Sequence, residues 1–157
     1  MRKLIVDQQS AHAVHADQRW LDLQSLAHAE LTSEDAAYPI EGALTASAGP
    51  GWRAAQAGTQ TIRLRFDDRQ RVSRIQLLFH EDERARVQEF ALLWSPDNGQ
   101  SYKEIVRQQY TFSPPGMTRE FEDYGVELSG VTALELRIIP DISGGDSRAS
   151  VAHLRIA

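Results

Sequence analysis

No cysteine occurs in this chain, which excludes disulfides, thiolate nucleophiles and Cys-based zinc sites together. Lysine is almost missing as well, with fifteen arginines against two lysines. Codon composition accounts for such a bias. So does the use of guanidinium forks for bidentate contacts to carboxylates or hydroxyl-rich ligands. No apolar run approaches the ~20 residues that a membrane helix needs, so a membrane is not expected as a partner. The N-terminus opens with two cations, Arg2 and Lys3, but its apolar stretch ends at Asp7, far short of the ~7–15 residues of a signal sequence. The expected location is therefore cytoplasmic. Positive charge is lacking overall. At a net −5 and a pI near 5.5 no global field draws the chain to nucleic acid, which is disfavoured as a partner. Enzyme signatures are absent too: no G-x-S-x-G elbow, no phosphate-cradling glycine loop, no His-Glu-x-x-His helix.

What remains is an ordinary globular composition, 41% hydrophobic and 25% charged, in a chain of 157 residues that fits one domain. Its clearest pattern is Gln88 to Ile105. Phe90, Leu92 and Trp94 alternate with Glu89, Ala91 and Leu93, the two-residue period of a strand with one buried face. Ser95-Pro96-Asp97-Asn98-Gly99 supplies a hairpin turn, since Asn-Gly tolerates positive φ. Tyr102 to Val106 returns. The same alternation recurs at Ile62, Leu64 and Phe66, at Ile75, Leu77 and Phe79, at Leu134, Leu136 and Ile138, and at Leu154 and Ile156. Asp67 to Gln70 reads as a turn between two of these strands, and Ala43 to Gly58 as a long surface loop pinned by Trp52. Six or seven strands without a long amphipathic helix read as an all-β sandwich or barrel. Residues 1–19 are polar and aperiodic, the pattern of an N-terminal arm or edge segment.

Each chemically suggestive cluster has two readings. His12 and His15 are three apart with no third ligand in view, as for solvated histidines. Glu81, Asp82, Glu83, Arg84 and Arg86 occupy a connection between strands, where they form either a solvated charged loop or a ligand rim. Glu120, Glu122 and Asp123 read as a solvent-facing charged strand, with nothing to suggest the burial that raises a catalytic carboxyl's pKa. Trp52 is a sugar-stacking platform or a plug against the sandwich, and its small flanking residues favour the plug. Phe112 sits in a loop as an exposed aromatic or a core anchor. Trp94 belongs in the core.

The order Ile40-Glu41-Gly42, Gly51-Trp52, Ile62 to Phe66, Ile75 to Leu77, Phe90 to Ser95 with Asp97-x-Gly99, Leu134 to Ile138 and His153 to Ile156 resembles the galactose-binding-like, or discoidin (coagulation-factor C-type), superfamily. The resemblance implies a jelly-roll sandwich of a five-stranded and a three-stranded antiparallel sheet, spanning residues 29–157 of a single domain covering 1–157. It also implies a stand-alone, bacterial-type carbohydrate-binding-module-like protein with no catalytic function and no cofactor. Ligands of that superfamily meet loops at one end of the sandwich. Carried over by position, the ligand-binding residues would be Trp52, Arg53, His80, Glu81, Arg84, Arg86, Phe112 and Arg119. Galactose-binding members follow the loop tryptophan with histidine and a second tryptophan, whereas Trp52 precedes Arg53-Ala54-Ala55. Members that hold a structural calcium use an Asp-Gly loop and a glutamate in the last strand. Here those places carry Glu41-Gly42 and His153, and imidazole is a poor ligand for a hard cation, so no metal is expected. The expected partner is a glycan or sugar; the alternative is an intracellular protein-interaction or self-assembly module with a protein partner.

Overall fold

Two very long strands organise the molecule: β3, Gln60–His80, and β6, Arg119–Ile139, pair antiparallel along most of their length. The computed structural model describes residues 20–45 and 49–157, so the N-terminal arm with His12 and His15 lies outside the described residues. The remaining strands are β1 (Ala27–Leu31), β2 (Trp52–Ala57), β4 (Arg86–Ser95), β5 (Lys103–Phe112), β7 (Arg148–Val151) and β8 (His153–Ile156). Two single-turn helices, α1 (Leu23–Leu26) and α2 (Glu41–Leu44), flank β1.

The β3–β6 ladder crosses from one layer to the other. Its first stretch pairs residues 60–65 with 133–138, and there β1 joins β3, β4 joins β6 and β5 joins β4. Its second stretch pairs residues 74–80 with 119–125, and there β8 joins the free side of β3. Five strand segments thus form one sheet and three form the other, as the resemblance implies. Between the two stretches the register shifts at three places from Arg65 to Arg74. The inward positions change from even (Ile62, Leu64, Phe66) to odd (Ile75, Leu77, Phe79). Such extra residues bend a strand and increase its twist. Ile62, Leu64 and Leu134 from one sheet consequently line the same interior space as Ile75, Leu154 and Ile156 from the other. Each such buried side chain contributes about 1.5–3 kcal/mol.

Asp67 to Gln70, expected as a turn, is therefore an exposed bend inside one strand. Local sequence reads alike in both cases; the difference is that β6 continues past the bend and keeps the ladder going. The opening hairpin is as expected in its turn, with Asn98 at φ 59 and Gly99 at φ 87. Ser95 Oγ accepts from the Gly99 amide at 2.8 Å and donates to Asp97 Oδ1 at 2.7 Å. Asp97 also takes the Ser101 amide and hydroxyl, at 2.9 and 2.6 Å, and these hydrogen bonds hold its carboxyl down to about pKa 2. Thr132 on β6 locks the turn from outside, donating to Ser95 O and accepting from the Asn98 amide, both at 2.8 Å. Trp94 is only half-buried, lying beneath the Lys103 ammonium.

The loop expected over Ala43 to Gly58 instead takes in the end of helix α2 (Ala43 and Leu44) and strand β2, which pairs with β7 in a separate two-stranded sheet. Alanine-rich β2 carries little strand propensity; a distant partner imposes the conformation. Gly51 enters β2 at φ +84, where a Cβ would lie 2.3 Å from Val151 O and 2.8 Å from Ala152 Cα. Gly58 leaves β2 at φ +89 with nothing within 4 Å of its Cβ position. Gly51→Ala should therefore cost on the order of 3 kcal/mol in denaturant unfolding, through strain plus collision, and Gly58→Ala about 1 kcal/mol from strain alone. Equal costs would show that Gly51 is not held against β7.

Candidate functional site

The connection from β3 to β4 is built around one carboxylate. Glu81 Oε2 accepts the amides of Glu83 (2.9 Å) and Arg84 (3.1 Å), curling the chain, and its Oε1 accepts Arg86 Nε at 2.7 Å. Burial works to raise the Glu81 pKa, but the Arg86 hydrogen bond and the two amides together outweigh it and hold the carboxyl below its ordinary value. Arg86 itself is buried. Its Nη1 donates to Pro140 O (2.7 Å) and Gln88 Oε1 (3.1 Å), and its guanidinium lies 4.6 Å from the centre of the Phe112 ring.

This connection forms one wall of a groove of about 380 Å3, lined by Arg53, Ala57, Glu81, Glu83, Arg84, Asp146, Ser147 and Arg148. The loop from β6 to β7 supplies the opposite wall, where Asp146 receives the forked Arg84 guanidinium and has its pKa lowered by it. The β2–β7 pair forms the floor: Arg53 faces Ser150 across the ladder, and Arg148 lies two residues from Ser150 on the same face. The Arg53 guanidinium stacks 5.2 Å from the Tyr38 ring centre. Arg148 comes no nearer than 3.9 Å to Asp35 Oδ2. A larger cleft of about 420 Å3 beside β1 is lined by aliphatic groups such as Leu23, Leu31, Ile40 and Leu44 together with Gln24, His28, Glu34 and Glu41, and none of the side chains expected to bind a ligand reaches it.

Of those expected residues, Arg53, Glu81 and Arg84 converge in the groove. Trp52, Arg86 and Phe112 do not reach it as ligand groups. Trp52 is 1% exposed, donates its indole N–H to Ser33 O at 3.2 Å and acts as the plug. Phe112 is fully buried and gives the Arg86 guanidinium an aromatic floor. Arg86 is a positioning residue, since it holds Glu81 in the groove wall. His80 and Arg119 face each other across the β3–β6 ladder, exposed and outside the groove. Asp146, Ser147 and Arg148 were missed by sequence reasoning. The signal for them is modest: a Gly144-Gly145 loop that enters a strand and brings a charged residue on each side of Ser147. Among the described residues no group of three or more His, Asp or Glu is placed to hold a metal ion.

The charged strand before Tyr124 is a correction. Glu120, expected to face solvent, is 2% exposed and points between the two sheets, where Gln88 donates to its Oε1 at 3.2 Å and Oε2 has no partner. Burial, and then the neighbouring Glu122 carboxyl, push its pKa up to about 8. Behind it, Tyr124 donates its hydroxyl to Gln108 on β5. The seam thus runs from the groove wall inward through Glu81, Arg86, Gln88 and Glu120.

No protein-family model and no curated protein sequence matches this chain. Solved structures do. A family 32 carbohydrate-binding module from C. perfringens NanJ, in complex with galactose, matches with a TM-score of 0.64 at 13% identity, over 87% of this chain and 96% of that one. The corresponding module of AlyQ, in complex with 4,5-unsaturated mannuronic acid, matches at 0.63 and 15% identity, over 88% and 98%. Reduced XRCC1 bound to the DNA pol beta catalytic domain matches at 0.61 and 16%, over 84% and 95%. At these identities the likeness shows the fold, a jelly-roll β-sandwich, and leaves the ligand open.

The folded chain holds the Glu120 proton to about pH 8, whereas an unfolded carboxyl releases it near 4.5. The stability this site contributes is therefore full below the unfolded value and is lost as pH rises through the folded one. Relative to the parent protein, Glu120→Gln should gain stability from about pH 5 to 8, on the order of a few kcal/mol in total. Urea unfolding of both proteins across that range measures it; a constant difference would mean that Glu120 is ionised throughout.

Proposed function

We propose that this protein is a non-catalytic carbohydrate-binding module whose ligand lies in the groove between Arg53, Glu81, Arg84, Asp146 and Arg148. The observation that carries this reading is convergence. Three side chains picked out from the sequence as loop residues meet at one end of the sandwich, in a concave, polar site on a rigid scaffold. The sandwich itself is the fold of the galactose-bound and mannuronic-acid-bound modules, which adds weight to a sugar ligand. Guanidinium and carboxylate groups supply the directional hydrogen bonds that hydroxyl recognition requires.

The lowered pKa of two groove carboxylates favours binding over glycoside hydrolysis. Hydrolysis of a glycosidic bond uses one carboxyl with a raised pKa as proton donor beside an ionised partner. Glu81 and Asp146 are both lowered by their arginines, so both stand ionised. Glu120, whose pKa is raised, lies buried between the sheets.

A glycan array followed by calorimetry tests the reading. Arg84→Ala and Asp146→Ala should each weaken binding about tenfold or more, roughly 1.4 kcal/mol, while unfolding shifts by under about 0.5 kcal/mol. Arg107→Ala, on distant β5, should leave binding unchanged. An array with no signal above background, or groove variants that bind like the parent, would remove the proposal.

A further inference from the structure

One wall of the groove is held from inside the sandwich, by a relay of hydrogen bonds whose far end is an acid. Gln88 is oriented by both of its neighbours: its Oε1 accepts from Arg86 Nη1 at 3.1 Å and its Nε2 donates to Glu120 Oε1 at 3.2 Å. Arg86 in turn gives its Nε to Glu81 Oε1 at 2.7 Å, and Glu81 Oε2 takes the amides of Glu83 and Arg84. Arg84 then reaches across the groove to Asp146. An unbroken line of contacts joins Glu120, deep between the sheets, to the pair that spans the groove.

The surroundings of Glu120 hold little to stabilise a charge. On β6, Glu122 and Tyr124 share its face of the strand. Burial and then Glu122 raise the Glu120 pKa to about 8, while Arg86 pulls it down. Across the ladder on β3 stand Phe79 and Leu77. Strand β5 contributes Phe112 beneath the Arg86 guanidinium, the Tyr110 ring against Phe112, and Gln108, which takes the Tyr124 hydroxyl. In the loop after β6, the Asp141 carboxyl is held down chiefly by Ser143, with Arg86 adding less. Arg86 is thus the cation that acts on Glu120, and Glu81 already holds it.

With its proton on, Glu120 is a neutral acceptor for Gln88, and the Arg86 fork belongs to Glu81. With the proton off, a second buried carboxylate competes for the same guanidinium. Hydrogen bonds to an ionised acceptor are shorter and roughly twice as strong, so Gln88 is drawn to Glu120. A buried charge without a counter-ion is costly, so Arg86 is drawn as well. The coupling is reciprocal: because Arg86 favours ionised Glu120, ionised Glu120 pulls on Arg86 by the same free energy.

We propose that the Glu120 proton is a latch on the groove: its loss draws Arg86 off Glu81 and loosens the Glu81–Arg84 turn that carries one wall. On the reading that the groove holds a ligand, Glu120 is a positioning residue that regulates that site and weakens it as the solution turns alkaline. Carbon-detected NMR of the full chain without ligand, from about pH 6 to 10, tests this. The Glu120 carboxyl carbon should titrate near pH 8, and the Glu81 carboxyl carbon and the amide nitrogens of Glu83 and Arg84 should shift with the same midpoint. Glu120→Gln should abolish these shifts. Glu122→Gln removes a charge that raises the Glu120 pKa, so the midpoints of Glu120 and of the wall should fall together. The Ser101 amide, held by Asp97 in the hairpin turn, should stay flat throughout. Glu81 resonances that stay flat while Glu120 titrates overturn the proposal. So does a Glu120 carboxyl ionised across the whole range, or a Ser101 shift with the same midpoint, which would report unfolding of the domain. The sample holds no sugar, so a flat Glu81 counts against the latch whatever the glycan array gives.

Discussion

The β3–β6 ladder is the constraint on which the rest of the structure depends. One antiparallel pair serves two sheets because its register slips three times within a ten-residue bend. That bend folds the apolar face of β3 onto itself, so Ile62 and Ile75 line a common interior. Strands β1 and β8 dock on β3, β4 docks on β6 and carries β5, and β2 with β7 forms a separate two-stranded sheet. The charged bend, Asp67 to Arg69, stays in water while the strand on each side turns inward. Opposite it on β6, Gly130 takes φ +67, a conformation that costs a glycine little.

Arginine, the sequence's compositional oddity, turns out to be used in two ways. Most of the described arginines bind carboxylates, as where Arg63 and Arg137 bracket the buried Glu135 at 2.7 and 2.5 Å. Arg86 does the same between the sheets, stacked on Phe112 and holding Glu81. Desolvated pairs of this kind stabilise little over apolar packing, but removing one partner strands the other charge. Their clearest effect here is positional: Arg86 fixes the wall of the groove from behind. Arg53 instead rests on the Tyr38 ring, Arg148 reaches Asp35 only at 3.9 Å, and both line the groove.

Much of the fold could be read along the chain, because a half-buried strand writes its burial into residue alternation. Ile62 to Phe66, Ile75 to Phe79 and Leu134 to Ile138 alternate as expected, and Asn98-Gly99 announces its turn. Strand β2 could not be read, since Ala54, Ala55 and Ala57 have no preference of their own and pair only because β7 lies beside them. Glu120 was illegible for a related reason. Its neighbours Arg119 and Phe121 are exposed, so a charged strand looks solvated until β4 supplies Gln88 across the interface. The candidate site was half legible. Charged loops advertise themselves, but which of them meet depends on strand order.

The sequence by itself determined the class of fold, the hairpin turn, and the absence of thiol chemistry and of familiar catalytic motifs, because these rest on residue type and near-neighbour spacing. Only the tertiary structure decided which groups share a site. It brought Arg53 and Arg84 together with Asp146 and Arg148 from nearly a hundred residues away, and it withdrew Trp52, Arg86 and Phe112 into the interior. The physical reason is that burial and ion pairing are properties of neighbours in space, and those neighbours are chosen by the β3–β6 bend and the β2–β7 pairing.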